Sequence, residues 1–337
     1  MRKIRVVHYG IGHDHSNQFM ECLKSYPDLY EIVGVCEPNV EMREKFGGLP
    51  AYEGVRWLTE EEMFATTDVD AAIVEAFDLD LVKYAQKCAD KGWHIHMDKA
   101  AGADIKAYKK LLDTVRAKNL VFQTGYMFRY NPFVCLALNA LRTGELGEIY
   151  HIDAFMNTCF PPEKREWLSL LPGGDMLYLG CHMIDLVYLF WGVPNNIVRF
   201  NRRTGADGVD CVDNACAVFE YDKGVALICA SALEVNGCGR RQFVVCGKDA
   251  TYELNTIEGP PRARITKRAE SRTYGNWAKE TVLENFTNEM RYQEMMCDFA
   301  AFVRGEKQNP FTLEYEYQVH KLILTACGQD IDYKSID

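Results

Sequence analysis

The first 125 residues alternate short apolar runs with amphipathic segments, and this alternation is what most constrains the fold. Runs typical of strands are "IRVVHYG" (4–10), "YEIVGVCEP" (30–38), "VDAAIVEAF" (69–77), "WHIHMDK" (93–99) and "LVFQTGY" (120–126). Segments with helical periodicity are "SNQFMECLKSYP" (16–27), "NVEMREKF" (39–46), "TEEEMFAT" (59–66), "DLVKYAQKCADKG" (80–92) and "IKAYKKLLDTVRAKN" (105–119). Strands that alternate with such segments predict a parallel sheet with crossover helices.

The pattern changes after residue 126. A helical segment at 132–147 is followed by "EIYHIDAFMNT" (148–158), an aromatic-rich loop at 159–172 and a second helix at 180–191. Consecutive strand candidates come next: "NIVRFNRRT", "NACAVFEYD", "GVALICASALEV", "RRQFVVCGK" and "ATYELNT". Helical segments at 286–304 and 312–328 end the pattern. Consecutive strands predict a large, mostly antiparallel open sheet with helices on one face, so we expect an α/β protein with a parallel-sheet domain (1–125) and an α+β domain (126–337).

Charge and composition limit the kind of partner. The chain has a formal net charge of −10, 48% hydrophobic residues and 26% charged residues, which is the balance of an ordinary globular protein. It contains no run rich in Lys and Arg, so we expect neither nucleic acid nor an anionic membrane as a partner. A neutral or polar small molecule fits better.

The cysteines and the apolar runs indicate a cytoplasmic location. The thirteen cysteines are scattered, and no C-x-x-C pair occurs. Several lie in apolar runs, such as Cys36 and Cys229, where a thiol acts as a small hydrophobic group. We therefore expect a reducing compartment and no disulfide framework. The longest apolar run, "LVYLFWGV" (186–193), is too short to span a bilayer.

The first candidate for a binding site is Gly10-Ile11-Gly12, which follows a predicted strand. Glycines there allow a tight turn into the next helix, so that a pyrophosphate can lie at the helix N-terminus. Glu37 ends the second strand, 27 residues after Gly10, where a carboxylate can hold the ribose hydroxyls. A plain glycine turn with a surface glutamate remains the alternative.

His13-x-His15 follows the same strand and offers another interpretation. Paired histidines at a strand end bind metal in (β/α)₈-barrel hydrolases of the amidohydrolase type. His94 and His96 share one strand face and could supply further ligands, and Lys99 could bridge. The later change to consecutive strands disfavours a barrel, however. A third possibility is that the histidines cap the turn and contact phosphate.

Lys99 ends the predicted strand at 93–99. A lysine at the carboxyl edge of a parallel strand points to where ligands of such sheets bind. Its cation can hold a substrate hydroxyl and favour the alkoxide during hydride transfer. A solvated lysine at the start of a loop is the alternative.

Three polar residues interrupt the apolar segment "PGGDMLYLGCHMIDLVYLFWG" (172–192). His182 and Asp185 are three residues apart on one helical face, and Tyr178 precedes His182 by four. An imidazole is suited to remove a hydroxyl proton at neutral pH. His182 is therefore either a buried histidine with its hydrogen bonds satisfied or part of a catalytic pair facing Lys99 across a domain cleft.

In this order, the three motifs resemble the family of glucose–fructose oxidoreductase, inositol dehydrogenase and their relatives (Gfo/Idh/MocA). The resemblance covers nearly the whole chain. It is strongest in "TGYMFRYNPFVCLALNALRTGELGEIYHI" (124–152), which is similar to the segment joining the family's two domains. "GGDMLYLGCHMIDLVYLFWG" (173–192) is also close, and "FVVCGKDATYEL" (243–254) is weaker.

The resemblance implies a Rossmann domain at 1–125 and a substrate-binding domain at 126–337. It implies an NAD(P)-dependent dehydrogenase that transfers hydride between nicotinamide and a carbinol carbon of a sugar, polyol or sugar derivative. It also implies a homodimer or homotetramer formed through the C-terminal sheet. From the carboxylate of Glu37, which should repel a 2′-phosphate, we predict NAD rather than NADP.

The motif matches also name cofactor residues. The family's Glu-Lys-Pro falls on Asp98-Lys99-Ala100, and its Thr-Pro-Asn turn falls on Ala76-Phe77-Asp78. The glycine turn adds Gly10, Ile11 and Gly12 together with Glu37, and His15 replaces its third glycine. We expect all of these except Ala76 and Ala100 to line the cofactor, with His13 and His15 near its phosphates and without a metal ion.

The catalytic residues are predicted in the same way. The family's Asp-x-x-x-His falls on Tyr178 and His182, and Asp185 matches an acidic residue that follows the histidine by three. We expect Lys99, His182, Tyr178 and Asp185 to act in catalysis. A phenol orients a histidine by a hydrogen bond but cannot offset an imidazolium charge as a carboxylate does. A family member that binds nucleotide or sugar without turnover is therefore the alternative.

The predicted loop at 159–172 is expected to line the substrate pocket. Arg165 and Trp167 within it are candidates to contact a sugar or its acid. Arg129 is a further candidate, with a structural role at the domain junction as the alternative.

Overall fold

The strands form two sheets, one of five strands and one of eight. The computed structural model describes residues 2–258, 262–273, 276–283 and 292–335. By their contacts, residues Met1–Met127 and Tyr292–His320 form unit 1, and Phe128–Arg291 and Lys321–Asp337 form unit 2. The division differs from the one expected from the sequence, because residues 292–320 belong to the first unit.

Unit 1 alternates strands and helices. Its elements up to residue 124 are β1 (Ile4–Tyr9), α1 (Ser16–Ser25), β2 (Tyr30–Cys36), α2 (Val40–Phe46), α3 (Glu60–Ala65), β3 (Ala71–Val74), α4 (Leu81–Lys91), β4 (His94–Met97), α5 (Ile105–Ala117) and β5 (Phe122–Thr124). All neighbouring strands are parallel, in the order β2-β1-β3-β4-β5. The predicted parallel sheet with crossover helices is confirmed.

A single residue extends this sheet beyond β2. Trp57 pairs with Val35 as a parallel bridge, with Val35 N donating to Arg56 O and Leu58 N donating to Val35 O. The bridge takes the place of the third strand in the dinucleotide-binding order 3-2-1-4-5-6. The order therefore reverses between β1 and β3, where open α/β sheets bind ligands. The barrel hypothesis is wrong, because the sheet is open.

Local sequence explains where the helices of unit 1 begin and end. Thr59 caps α3 and forms a reciprocal capping box with Glu62. Gly92 ends α4 with a φ of 88°, a left-handed conformation that favours glycine. These two residues define where α3 begins and where α4 ends. Because all neighbouring strands are parallel, their carboxyl ends lie at the same edge of the sheet.

Unit 2 contains the long sheet and most of the remaining helices. Its elements are α6 (Pro132–Arg142), β6 (Ile149–Phe155), α7 (Pro162–Leu168), α8 (Cys181–Trp191), β7 (Asn196–Arg202), β8 (Asn214–Tyr221), β9 (Gly224–Ser231), β10 (Gln242–Gly247), β11 (Ala250–Asn255), β12 (Ala263–Thr273) and β13 (Asn276–Leu283). The order is β13-β12-β11-β10-β6-β9-β8-β7, and β6 with β9 is a parallel pair in an otherwise antiparallel sheet. The expected mostly antiparallel sheet is confirmed.

Two features of unit 2 differ from expectation. The segment at 159–172 is not simply a loop, because it contains α7, which begins with Pro162 at its first helical position. Strands β12 and β13 were not predicted, because "ARITKRAESRT" has no apolar run. Side chains alternate along the predicted strands: Ala215, Ala217 and Phe219 are buried. Helix α8 packs on β6 and β9.

The last two helices are α9 (Gln293–Val303) and α10 (Leu313–Ala326). Residues 286–291 of the helical segment predicted at 286–304 lie outside the described residues. Within unit 1, Phe299 of α9 is fully buried and Tyr30 of β2 donates its hydroxyl to Met296 O at 2.5 Å. The described helices include none with both the length and the apolar character needed to cross a bilayer.

Candidate functional site

The turn after β1 depends on its two glycines. Gly10 has a φ of +89°, and a Cβ there would lie 2.6 Å from the backbone N and Cα of Ala76. A Cβ on Gly12 would lie 3.0 Å from Phe77 N. The turn therefore packs closely against the connection that follows β3. This brings Gly10, Ile11 and Gly12 next to Phe77, all of them predicted cofactor residues.

Glu37 holds this turn from the end of β2. The residue is 6% exposed, so it is not the surface glutamate of the alternative interpretation. Its Oε2 accepts the N–H of Ile11 at 2.6 Å, and its Oε1 accepts the N–H of Asn39 at 2.8 Å. Burial raises the pKa of Glu37, although both N–H groups act in the opposite direction. The carboxylate is thus fixed beside the glycine turn.

A group of ionisable residues lies at the carboxyl ends of β1, β3 and β4, and all of them except the partly exposed His15 are buried. We call this group the strand-end cluster. Its members are His13, His15, Glu75, Asp78, Asp98 and Lys99. Asp98 Oδ2 lies 2.6 Å from His13 Nδ1 and 3.0 Å from His15 Nδ1. Glu75 Oε2 lies 3.9 Å from His13 Nδ1, and Asp78 Oδ1 lies 3.6 Å from His13 Nε2. The parallel sheet brings together residues up to 86 positions apart.

The two histidines of the cluster differ in their affinity for a proton. Burial lowers the pKa of His13, but the Asp98 and Asp78 carboxylates outweigh it and raise the value to about 9. Burial lowers the pKa of His15 to about 4, although Asp98 acts in the opposite direction. At neutral pH, His13 therefore carries the positive charge that faces Asp98.

The carboxyl groups of the cluster also differ. Burial raises the pKa of Asp98, but His13 and His15 lower it more, so the value lies well below the usual range. Burial raises the pKa of Glu75 well above its usual range, and the charge of Asp98 adds to this. Asp98 is therefore ionised, whereas Glu75 favours its neutral form. Strongly perturbed pKa values of this kind are typical of functional sites.

Lys99 is fully buried at the end of β4. Its backbone N–H donates to Asp98 Oδ1 at 2.7 Å. Its positive charge lowers the pKa of both Glu75 and His15. The alternative of a solvated lysine is therefore wrong, and the side chain belongs to the strand-end cluster.

The second histidine pair has a different place. His94 Nδ1 accepts the N–H of Val121 at 2.9 Å, and His96 Nδ1 lies 2.9 Å from Gln123 Oε1. These contacts connect β4 to β5 and its preceding residue. His94 and His96 therefore join neighbouring strands.

In unit 2, Tyr178 lies in a π-helical turn, Met176–Gly180, that leads directly into α8. Such turns are rare and occur frequently at functional sites. His182 lies in the first turn of α8 and is 2% exposed, with its ring edge-on to Phe128 at 5.0 Å. Tyr178 is 6% exposed. Both predicted catalytic residues are thus buried on consecutive turns, and we refer to them with Arg129 and Asp185 as the α8 site.

Asp185 is paired with Arg129. The guanidinium donates from Nε to both carboxylate oxygens at 3.0–3.1 Å and from Nη2 to Oδ1 at 2.7 Å. Both side chains are 1% exposed. This geometry supports the structural role for Arg129, and it gives Asp185 a fixed cationic partner.

Arg165 and Trp167 of α7 have different surroundings. Arg165 is 1% exposed. Its Nη1 donates to Ala206 O at 2.9 Å and lies 3.5 Å from Asp213 Oδ2, and its Nη2 donates to the carboxylate of Asp207. Trp167 packs edge-on against Tyr178 at 5.3 Å. Of the two, Trp167 lies beside the α8 site, whereas the guanidinium of Arg165 is held by its own chain.

Sequence reasoning missed two residues of these sites. Glu75 ends the apolar strand "AAIVE", and a single carboxyl group closing such a strand is the signal that could have found it. Lys164 places its Nζ 3.6 Å from the ring centroid of Trp167 and 4.5 Å from that of Tyr178. Its spacing from Trp167 on a short helix gave no distinct signal.

Comparisons with known proteins agree with this fold. Residues 136–253 match the sequence model of the GFO/IDH/MocA C-terminal domain. D-xylose 1-dehydrogenase (NADP(+)) 2 of Haloferax volcanii is 24% identical over 52% of this chain, and the chain spans only 53% of that relative. Glucose-6-phosphate 3-dehydrogenase of Bacillus subtilis is 21% identical over 84% of this chain and 91% of its own length.

The solved structures add likeness at the level of the fold. A levoglucosan dehydrogenase, determined in complex with NADH and levoglucosan, superposes with a TM-score of 0.78 at 15% identity, covering 97% of each chain. At this identity, the likeness concerns the fold. Residues 136–253 are thus similar to the C-terminal domain of the GFO/IDH/MocA family, and the chain as a whole shares its fold with the levoglucosan dehydrogenase.

Proposed function

We propose that the protein is a nicotinamide-dependent dehydrogenase that acts on a carbinol carbon of a sugar, polyol or sugar derivative. The observation that carries this proposal is the burial of Lys99 among carboxyl groups at the carboxyl edge of the unit 1 sheet, after β4. Two relatives, which match 52% and 84% of this chain, are named as dehydrogenases of xylose and of glucose 6-phosphate. These names support the proposed substrate class.

The residues of unit 1 fit a dinucleotide. The glycine turn lies at the carboxyl edge of the sheet, and Glu37 stands at the end of the neighbouring strand. Each oxygen of Glu37 accepts one backbone N–H, which leaves lone pairs for the hydroxyls of a ribose. We propose NAD over NADP, because a buried carboxylate beside the ribose repels a 2′-phosphate. The cofactor, when bound, supplies or accepts the hydride.

The chain's own residues then handle the proton and the charge. We propose that Nζ of Lys99 holds the oxygen of the reacting carbon and stabilises negative charge on it. We propose that the imidazole of His182 accepts the hydroxyl proton during oxidation and returns it during reduction. Tyr178 precedes His182 by one helical turn, and its hydroxyl is the proposed orienting group. Asp185 is proposed to act indirectly, by fixing Arg129.

Turnover of a panel of sugars and polyols with NAD⁺ tests the proposal. We expect Lys99→Ala and His182→Ala each to lower kcat by about 100-fold or more. The matched controls are Lys109→Ala and His151→Ala, since both side chains are partly exposed on their units. NADH binding without turnover of any panel member would contradict an enzyme and favour a binding module.

Two further measurements separate the finer assignments. Wild type should bind NADH more tightly than NADPH, and Glu37→Ser should reduce that preference about tenfold. Tighter NADPH binding by wild type would overturn the proposed NAD preference. Full activity of Tyr178→Phe would remove the phenol from the proton path.

We also propose that the chain forms a homodimer or homotetramer through the sheet of unit 2. Exposed apolar side chains on its strands support this: Tyr150, Phe200, Val225 and Val282 are 38–52% exposed. Light scattering of the purified protein should give twice or four times the monomer mass of 38.5 kDa. A monomer at micromolar concentration would contradict the proposal.

A further inference from the structure

We infer that the strand-end cluster is a divalent metal site in which His13, His15 and Asp98 are the ligands. Each residue offers one ligand atom, and the three atoms lie within 4.8 Å of one another. This departs from the prediction made from the sequence, in which the histidines contact phosphate and no metal binds. The site belongs entirely to unit 1 and needs neither nucleotide nor substrate.

The spacing of the ligand atoms is close to that of a zinc site. Bonds of about 2.0–2.1 Å in a tetrahedral site put neighbouring ligand atoms about 3.3 Å apart. Asp98 Oδ2 is 2.6 Å from His13 Nδ1 and 3.0 Å from His15 Nδ1. Outward shifts of about 0.3–0.7 Å would admit an ion at the position where the two imidazoles converge on one oxygen.

The hydrogen bonds at His13 call for a positive centre at this position. The backbone N–H of His15 donates to His13 Nδ1 at 3.3 Å. His13 Nδ1 also lies 2.6 Å from Asp98 Oδ2. Two lone pairs at 2.6 Å repel each other unless a proton or a metal ion lies between them. A metal ion can bind both imidazoles at once, whereas without an ion each histidine needs an N–H at Nδ1 to contact the same oxygen of Asp98.

Glu75 provides an independent observation. The residue is fully buried, and neither carboxylate oxygen has a hydrogen-bond partner in the described part of the chain. Its Oε2 is 3.9 Å from His13 Nδ1, so the group is aimed into the cluster. Buried carboxyl groups without partners are costly. Glu75 is thus positioned as the fourth ligand, or as the acceptor for water on the ion.

The surroundings also orient the ligands. Asp98 Oδ1 accepts the backbone N–H of Lys99 at 2.7 Å, which directs Oδ2 toward the histidines. Asp78 lies 3.6 Å from His13 Nε2, the nitrogen that faces away from the proposed ion. A carboxylate behind a metal-bound imidazole fixes its tautomer in many zinc sites.

The ligand chemistry selects the kind of ion. Two imidazole nitrogens with one or two carboxylate oxygens suit Zn²⁺ and Co²⁺, whereas Mg²⁺ and Ca²⁺ prefer oxygen ligands. Three protein ligands leave at least one position open for water or for an oxygen of a small molecule. His15 is the most accessible ligand, with its side chain 14% exposed.

Cobalt titration of the full-length protein, first stripped with a chelator, tests the inference. We expect one Co²⁺ per chain with the intense visible absorption of a tetrahedral ion, displaced by Zn²⁺. His15→Gln and Asp98→Asn should each weaken binding about 100-fold. The matched control is His151→Gln in unit 2, whose side chain is 32% exposed and pairs with Asp153. Circular dichroism should show that each variant is folded.

Three outcomes would overturn the site: no Co²⁺ binding, a binding constant unchanged in His15→Gln, or binding lost equally in the control. In those cases, a proton shared between His13 and Asp98 accounts for the geometry. NADH binding is measured on the same stripped sample. Metal binding without NADH binding would contradict the proposed dehydrogenase and support the metal site. NADH binding without metal binding would contradict the metal site and support the proposed dehydrogenase.

Discussion

The strand-end cluster of unit 1 and the α8 site of unit 2 balance their buried charges in different ways. In unit 2, Asp185 is matched by a single guanidinium, that of Arg129, with three short hydrogen bonds. In unit 1, two histidines converge on one oxygen of Asp98, and Glu75 lies beside them. In the first arrangement one cation meets one carboxylate, whereas in the second two imidazoles share one carboxylate oxygen.

This difference separates structural from functional charge. In a buried ion pair such as Arg129–Asp185, the two charges neutralise each other within the chain. Where several groups surround one charge, as in the strand-end cluster, a proton, an ion or a substrate oxygen can replace one of the contacts at a small cost in free energy. Arg129 and Arg165, both predicted to contact substrate, have the first kind of surroundings, and Lys99 has the second. Removing single groups should therefore affect stability in unit 2 and binding in unit 1.

The largest expected effect follows from breaking the Arg129–Asp185 pair. Asp185→Ala leaves the guanidinium buried without its partner, which should lower the free energy of unfolding by about 3–5 kcal/mol. Urea denaturation gives the value. As a control, Arg129→Met combined with Asp185→Leu should recover most of the loss, because it removes both charges. A loss below about 1 kcal/mol in Asp185→Ala would mean that the pair is not structural.

The next effect concerns the backbone that carries the strand-end cluster. Gly10→Ala adds a Cβ 2.6 Å from Ala76 and forces a φ of +89° on alanine, so we expect a loss of about 2–4 kcal/mol. Gly92→Ala is the matched control, because its φ is +88° and no atom lies within 4 Å of the added Cβ. It should cost only about 1–2 kcal/mol.

Equal losses in the two variants would show that the close approach to Ala76 relaxes without cost. The Gly10→Ala variant should also bind NADH more weakly than Gly92→Ala does, because only the first glycine lies in the turn beside Glu37. Equilibrium titration on folded protein at low temperature checks this second part.

The sequence was sufficient for the architecture of unit 1 and for most of the strand-end cluster. Apolar runs and amphipathic segments located the strands and helices, and parallel strands bring their carboxyl ends to one edge. His13, Asp98 and Lys99 follow from that rule. Glu75 was missed because one glutamate ending an apolar strand does not stand out. Trp57 was missed because a single bridging residue has no periodicity.

The sequence was less informative for unit 2. Arg129 and Asp185 are 56 positions apart, and residue type alone does not show that they neutralise each other. The same holds for Arg165 and Asp213. Strands β12 and β13 carry many charged residues, because strands at one end of the sheet do not need two apolar faces. Burial and pairing thus decide which charged residues remain available, and both depend on the tertiary structure.

A smaller effect extends the comparison to pH. His320 of α10 is buried against Tyr108 within unit 1, and burial lowers its pKa from 6.5 to about 3. The folded state therefore excludes a proton that the unfolded chain binds below pH 6.5. Its contribution to stability is complete above that pH and is lost as pH falls toward 3. Between pH 7.5 and 5.5 the loss should be on the order of 1 kcal/mol.

His320→Phe tests this contribution, because phenylalanine keeps the ring contact and cannot bind a proton. Urea denaturation at pH 7.5 and 5.5 gives the free energy of unfolding at each pH. The loss between the two values should be smaller in His320→Phe than in wild type, by the contribution expected for His320. His151→Phe serves as the control, since His151 is partly exposed in unit 2. An unchanged pH dependence in His320→Phe would show that other groups dominate acid sensitivity.

The smallest effect is expected beside Tyr178. Lys164 stands 3.6 Å from the Trp167 ring centroid and 4.5 Å from that of Tyr178, so that its cation contacts two aromatic faces. Lys164→Met keeps the length of the side chain and removes the charge. It should lower the free energy of unfolding by about 0.5–1 kcal/mol, as for a cation–π contact at a half-exposed site. Lys164→Arg should be close to wild type, because arginine retains the cation. A stability of Lys164→Met equal to that of Lys164→Arg would show that only the packing of the side chain matters there.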